Sequence, residues 1–151
     1  MVTMHKRIPR STAQRRAAAL DMLQNRDRLW LSTGNSSGPH LIPVGFLWDG
    51  KHITMATREH SVTTSNIRMN GAARVAIGEP DDLIIVDGTV SIVSIDDIEP
   101  EVANAIAGLR HSDTVLPERV CLRLLPTRIL VWNGFHEYSN RTVMRNGRWL
   151  E

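Results

Sequence analysis

Between residues 28 and 78 the spacing of apolar residues changes from two to about 3.6 and back to two, and this constrains the fold most. Residues 29–33 form a short apolar-rich run that stops at the turn cluster Gly34-Asn35-Ser36-Ser37-Gly38. Residues 40–48 form a second run, closed by Asp49-Gly50, a dipeptide suited to a two-residue hairpin because both central positions take positive φ. Residues 52–57 read as a third strand. From Arg58 to Arg68 the period is helical, and Asn70-Gly71 stops it, since Gly enters the left-handed region without steric cost. Residues 74–78 return to a strand pattern.

The end of the third strand carries a polar cluster. Thr57, Ser61, Thr63 and Thr64 bring hydroxyls to the point where a helix starts, and that helix directs free N–H groups and its positive dipole end at the same place. Such a cluster suits an anion. The same residues also read as ordinary N-caps, worth about 1 kcal/mol, and spacing alone leaves both readings open.

The remainder of the chain fits one domain. At 151 residues it is long enough to bury a proper core, so residues 11–151 are expected to form one domain and residues 1–10 a frayed arm. Ser11-Thr12-Ala13-Gln14 has the form of a capping box, and Ala13, Ala17, Leu20 and Leu23 then fall on one helical stripe. Glu79-Pro80-Asp81-Asp82 reads as a polar turn. Residues 83–93 read as a long strand, with a bend or bulge expected at Asp87-Gly88. A second helix is expected to start within residues 96–101, with Pro100 in its first turn and Val102, Ala105, Ile106 and Leu109 on its apolar face. Residues 120–125 and 129–132 read as two strands broken by Pro126, and residues 135–151 show no clear period. Six or seven short strands with few helices predict a mainly β, barrel-like domain.

Charge and composition exclude several classes. Residues 1–28 hold seven Lys or Arg against two Asp, but this basic segment lacks interleaved aromatics and is partly helical, so no nucleic-acid partner is expected. No apolar run approaches the ~20 residues of a membrane span. The lone cysteine, Cys121, cannot form an intrachain disulfide, and a cytoplasmic location fits best. There is no Gly-x-Gly-x-x-Gly, Walker loop, Gly-x-Ser-x-Gly elbow or metal-spaced Cys/His set. His136-Glu137 and His111 with Asp113 are isolated. No catalytic side chain and no metal ligand is assigned, which suits a protein whose reactive atom belongs to a cofactor.

The run Ser36-Ser37-Gly38-Pro39-His40-Leu41-Ile42-Pro43-Val44-Gly45-Phe46-Leu47-Trp48-Asp49-Gly50 resembles the pyridoxamine 5′-phosphate oxidase-like split β-barrel superfamily. So do Ala56-Thr57 with Ser61-Val62-Thr63-Thr64-Ser65-Asn66-Ile67-Arg68, then Val86-Asp87-Gly88-Thr89, and Pro126-Thr127-Arg128-Ile129 followed by Trp132. The tail Arg141-Thr142-Val143-Met144-Arg145-Asn146-Gly147-Arg148-Trp149 looks like one branch of it.

This resemblance implies a six- to seven-stranded, FMN-binding-type split barrel. It implies a homodimer that holds FMN, or alternatively the deazaflavin coenzyme or haem, at the subunit interface. It implies hydride transfer to or from a small-molecule substrate, or a carrier that has lost turnover. In such a protein Pro43 and Val44 would lie against the ring, and Thr57, Ser61, Thr63, Thr64 and Asn66 would hold the phosphate. Arg68 would neutralise it, and Trp132 would pack near the ring from the second subunit. Many relatives carry a Lys near Thr63; its replacement here removes a charge-assisted contact to the phosphate.

Overall fold

The computed structural model describes residues 7–109 and 118–151. His111 and Asp113 lie outside the described residues, as do the first six residues of the N-terminal arm. The chain begins with helix α1 (Thr12–Asn25), followed by strands β1 (Arg28–Asn35), β2 (Gly38–Trp48) and β3 (Ile53–Arg58). Helix α2 (Val62–Asn70) then leads to β4 (Ala72–Glu79) and β5 (Asp82–Ser94). Helix α3 (Pro100–Ala107), the long strand β6 (Arg119–Trp132) and the hairpin β7 (Thr142–Arg145) and β8 (Arg148–Trp149) complete it.

The strands pair antiparallel in the order β3-β2-β1-β4-β5-β6, and β3 also pairs with β6, so six strands close into a barrel. Closure removes free sheet edges. Alternate residues point inward: Leu29 and Leu31, Ile53 and Met55, Val75 and Ile77, Ile84 and Val86, Leu122 and Leu124 are all buried. The first half of β6 pairs with β3 through Arg119–Leu124, whereas the far half pairs with β7 at Ile129 and Leu130. That change of neighbour along one strand is the split in the barrel. The mainly β split barrel expected from the sequence is the fold that forms.

Helix α1 packs Ala19, Met22 and Leu23 into the barrel core. Its capping box is complete, with Ser11 Oγ accepting from the Gln14 N–H at 3.1 Å and the Gln14 side chain accepting from the Ser11 N–H at 2.8 Å. The buried face is nevertheless rotated from the expected stripe: Ala13 and Ala17 are exposed, and Arg15, Ala19, Met22 and Leu23 are buried. Arg15 turns inward because its Nη1 donates to the Asn140 carbonyl at 2.6 Å. Helix α3 packs against the outside of β2, with Ile106 in a small cluster with Cys121 and Ile98. Pro100 occupies its first turn as expected, whereas residues 95–97 form a separate 3-10 turn. Ala105 is exposed, and Ala103 takes the inward position instead.

Two expected turns differ. Asp49-Gly50 lies in a four-residue loop, because the Asp49 carboxylate accepts from the N–H groups of Lys51 and His52 at 2.8 and 2.6 Å and only Gly50 takes positive φ. The two-residue turns fall instead at Ser36-Ser37, at Pro80-Asp81 within the expected polar turn, and at Asn146-Gly147, the last with φ of 53° and 76°. Pro126 does not break the chain into two strands. It pairs with Gly88 at the step where Asp87 still faces Arg128, so Thr127 is the extra residue of a bulge that absorbs the missing N–H. The bulge expected at Asp87-Gly88 is therefore present, with the inserted residue on the partner strand. No helix among the described residues is long and apolar enough to cross a membrane.

Candidate functional site

Strand β3 ends at Arg58, and the chain turns through Glu59 and His60 into Ser61, the N-cap of α2. Ser61 has extended backbone angles, φ −128° and ψ 160°, and its Oγ accepts from the Thr64 N–H at 3.1 Å. The N–H groups of Val62 and Thr63 have no acceptor within the helix, so the positive end of α2 faces outward. In front of it lies a cavity of about 470 Å³ lined by Asn35, Glu59, His60, Ser61, Val62, Ser65, Asn66 and Arg68.

The hydroxyls expected here divide into two groups. Ser61 lines the cavity, whereas Thr63 and Thr64 are buried beneath the helix. Thr64 Oγ1 donates to the Arg58 carbonyl at 2.7 Å, which fixes the turn rather than presenting a donor outward. Thr57 is half-buried on β3 opposite Val120, beside this turn. Asn66 borders the cavity and is held at both ends of its amide: its Nδ2 donates to Thr33 Oγ1 at 3.1 Å and its Oδ1 accepts from Asn35 Nδ2 at 2.9 Å. It therefore ties α2 to β1 and sets where the helix end points. Arg68 is half-exposed and reaches Glu59 Oε1 only at 3.5 Å, so its charge can turn to an anion in the cavity.

Sequence reasoning missed Asn35, Glu59, His60, Val62 and Ser65 as lining residues. Ser65 had a signal, since it lies one helical turn beyond Ser61, and the Ser65 N–H bonds to the Ser61 carbonyl at 3.0 Å. Asn35 had only a turn signal. Its contact with Asn66 spans 31 positions, which no local pattern reveals.

Pro43 and Val44 lie on β2, with Pro43 exposed opposite the half-exposed Trp30 of β1 and Val44 packed against the core. Trp132 ends β6 beside the β4–β5 turn, donating from Nε1 to the Pro80 carbonyl at 3.0 Å and meeting Tyr138 edge-on at 6.0 Å. The start of β4 adjoins α2 and its end adjoins Trp132, so roughly 23 Å of strand separates them at ~3.3 Å per residue. One subunit does not bring Trp132 to the α2 cavity.

The closed six-stranded barrel, split along β6 and carrying a helix N-terminus at the end of β3, defines the class. Residues 16–133 match the pyridoxamine 5′-phosphate oxidase family, and the chain belongs to it. No curated protein matches the sequence. Among solved structures, a candidate pyridoxamine 5′-phosphate oxidase from Listeria innocua is similar, with TM-score 0.66, 21% identity, and 78% of this chain and 98% of that one covered. An F420 reductase aligns with TM-score 0.58 at 22% identity, covering 72% of this chain and 93% of that one. HutZ, a haem storage protein from Vibrio cholerae, aligns with TM-score 0.62 at 17% identity, covering 82% and 99%. At these identities the likeness is one of fold.

Proposed function

We propose that this protein is a homodimeric oxidoreductase that holds FMN, or the deazaflavin coenzyme, between its subunits and exchanges a hydride with a small molecule. The observation that carries this reading is the cavity in front of α2. It combines free helix N–H groups, the Ser61 and Ser65 hydroxyls and the Arg68 guanidinium around a space of about 470 Å³, which is donor chemistry suited to a phosphate. When bound, such a cofactor supplies hydride acceptance and donation at its ring. The chain's part is to grip and orient it. Ser61, Ser65 and Arg68 would hold the phosphate, Asn66 would fix the helix against β1, and Pro43 and Val44 would present β2 to the ring.

Two features support a second copy. Trp30, Leu41 and Pro43 expose apolar surface on β1 and β2, and Val62 and Met69 do so on α2. The separation of Trp132 from the α2 cavity also makes the partner the route by which an aromatic reaches the ring. A buried, unpaired Cys121 suits a reducing cytosol.

A second reading, a carrier of flavin or haem without turnover, is favoured by one observation. Arg68, the one Lys or Arg lining the cavity among the described residues, shares its charge with Glu59. Absorbance spectra of the purified protein, before and after adding FMN, a deazaflavin coenzyme or haem, separate the readings. The oxidoreductase reading expects a bound flavin-type spectrum that bleaches and recovers with a reductant and an oxidant. A spectrum that changes only with haem would overturn it.

A further inference from the structure

We infer that the cavity between α1, β6 and β7 is a second anion pocket, which takes the phosphoryl group of a soluble small molecule. It has a volume of about 380 Å³, and four arginines line it: Arg15, Arg128, Arg141 and Arg145. It shares no lining residue with the cavity at α2, so it stands independently of the flavin reading.

The central observation is Arg15. Its side chain is 6% exposed, its Nη1 donates to the Asn140 carbonyl at 2.6 Å, and its Nε has no hydrogen-bond partner. A guanidinium removed from water with an unused N–H is costly unless an acceptor arrives. Arg141 is fixed by a bond to the Tyr138 carbonyl at 3.0 Å and by stacking 4.0 Å from the Tyr138 ring centroid, neither of which cancels its charge. Arg128 and Arg145 are exposed at the rim.

The contrast is with the arginines that face a carboxylate. Arg10, Arg68, Arg74 and Arg123 each face a carboxylate, whereas none of the four around this cavity makes an ion pair among the described residues. Glu151, the acid in the lining, pairs with none of them. Thr12, the first residue of the 14-residue α1, also lines the cavity and adds the positive end of that helix. Several planar guanidinium forks around one recess match an oxyanion with three free oxygens. A nucleic acid would need a longer basic track with aromatic platforms, and among the described residues no aromatic lines this recess.

The test is calorimetric titration of the full chain with inorganic pyrophosphate at low ionic strength. The variants are Arg128→Gln and Arg145→Gln, whose exposed positions leave the fold intact, with Lys51→Gln, at an exposed position that lines neither cavity, as the charge-matched control. Thermal melts followed by circular dichroism check folding. Saturable binding that weakens about tenfold in each rim variant and is unchanged in Lys51→Gln is expected. Absence of saturable heat in the unmodified protein, or unchanged affinity in both rim variants, overturns the proposal. So does retention on phosphatidylglycerol vesicles without pyrophosphate binding, since the anion would then be a lipid headgroup.

Discussion

Arg10 wraps around Glu137, a carboxylate with no solvent exposure. Oε1 accepts from Nη2 at 2.7 Å, and Oε2 accepts from the Arg10 backbone N–H at 2.7 Å. The Asn133 N–H donates to Oε1 at 2.8 Å, so one buried acid joins the residue before the α1 N-cap to the turn after β6. Burial pushes the acid's pKa up. The Arg10 side-chain bonds, the N–H groups of Arg10 and Asn133 and the Arg10 charge together outweigh that, lowering it from 4.5 to about 2.

That shift fixes a pH dependence. A carboxyl whose folded pKa lies below its unfolded one stabilises the protein above the unfolded value, and the contribution is lost as pH falls through the folded value. The unmodified protein should lose on the order of 3 kcal/mol between about pH 5 and pH 2 from this group alone. Glu137→Gln should be less stable at neutral pH and flatter across that window. Urea unfolding at neutral pH and near pH 3 checks this, and an undiminished gap between the two proteins in acid would refute it.

The bulge at Thr127 makes a second prediction. A Cβ at Gly88 would meet the Leu125 carbonyl oxygen, with the Leu124 side chain at 2.6 Å, so the strand crossing has no room for one. Gly88→Ala should cost about 2–3 kcal/mol, because backbone rather than a flexible side chain must move. Denaturant midpoints measure it, and a change below about 0.5 kcal/mol would show that β5 and β6 separate easily there.

How far the sequence discloses this architecture can be judged at particular residues. The barrel strands and α2 were legible because one face of each is buried, which writes a period of two or 3.6 into the chain. Ser61 and Gly71 were legible as caps because a helix end needs a side-chain acceptor and a left-handed residue, here at φ 69°. Pro126 misled because its missing N–H is absorbed by a bulge defined only by the neighbouring strand. Asn146-Gly147 carried a turn signal, but its strands are too short to show a period. The roles of Asn35 and Arg15 depend on partners 31 and 125 positions away, and no window of sequence contains both ends.

Asn66 separates positioning from contact. Asn66→Ala leaves the buried Thr33 hydroxyl and the Asn35 amide without their partner, at about 1–3 kcal/mol for each group left unsatisfied. It should lower the melting temperature and weaken FMN binding together. Ser65→Ala, at an exposed lining residue, should weaken binding without changing the melt. Equal melts for the two variants would mean that the Asn66 bridge does not hold α2 to β1.

The family resemblance implies a lysine near Thr63, and the structure moves that substitution. Thr63 is 1% exposed, so Thr63→Lys would place an ammonium beneath α2 and should destabilise the fold. Ser65 is exposed and lines the cavity, so Ser65→Lys presents the same charge to a bound phosphate without burying it. A charge-assisted contact is worth about 1.5–3 kcal/mol, hence roughly a tenfold or greater gain in FMN affinity is expected for Ser65→Lys. Fluorescence titration of FMN against both variants, with their melts, decides the matter. Tighter binding by a stably folded Thr63→Lys, with no gain from Ser65→Lys, would place the phosphate on the opposite side of the helix from this cavity.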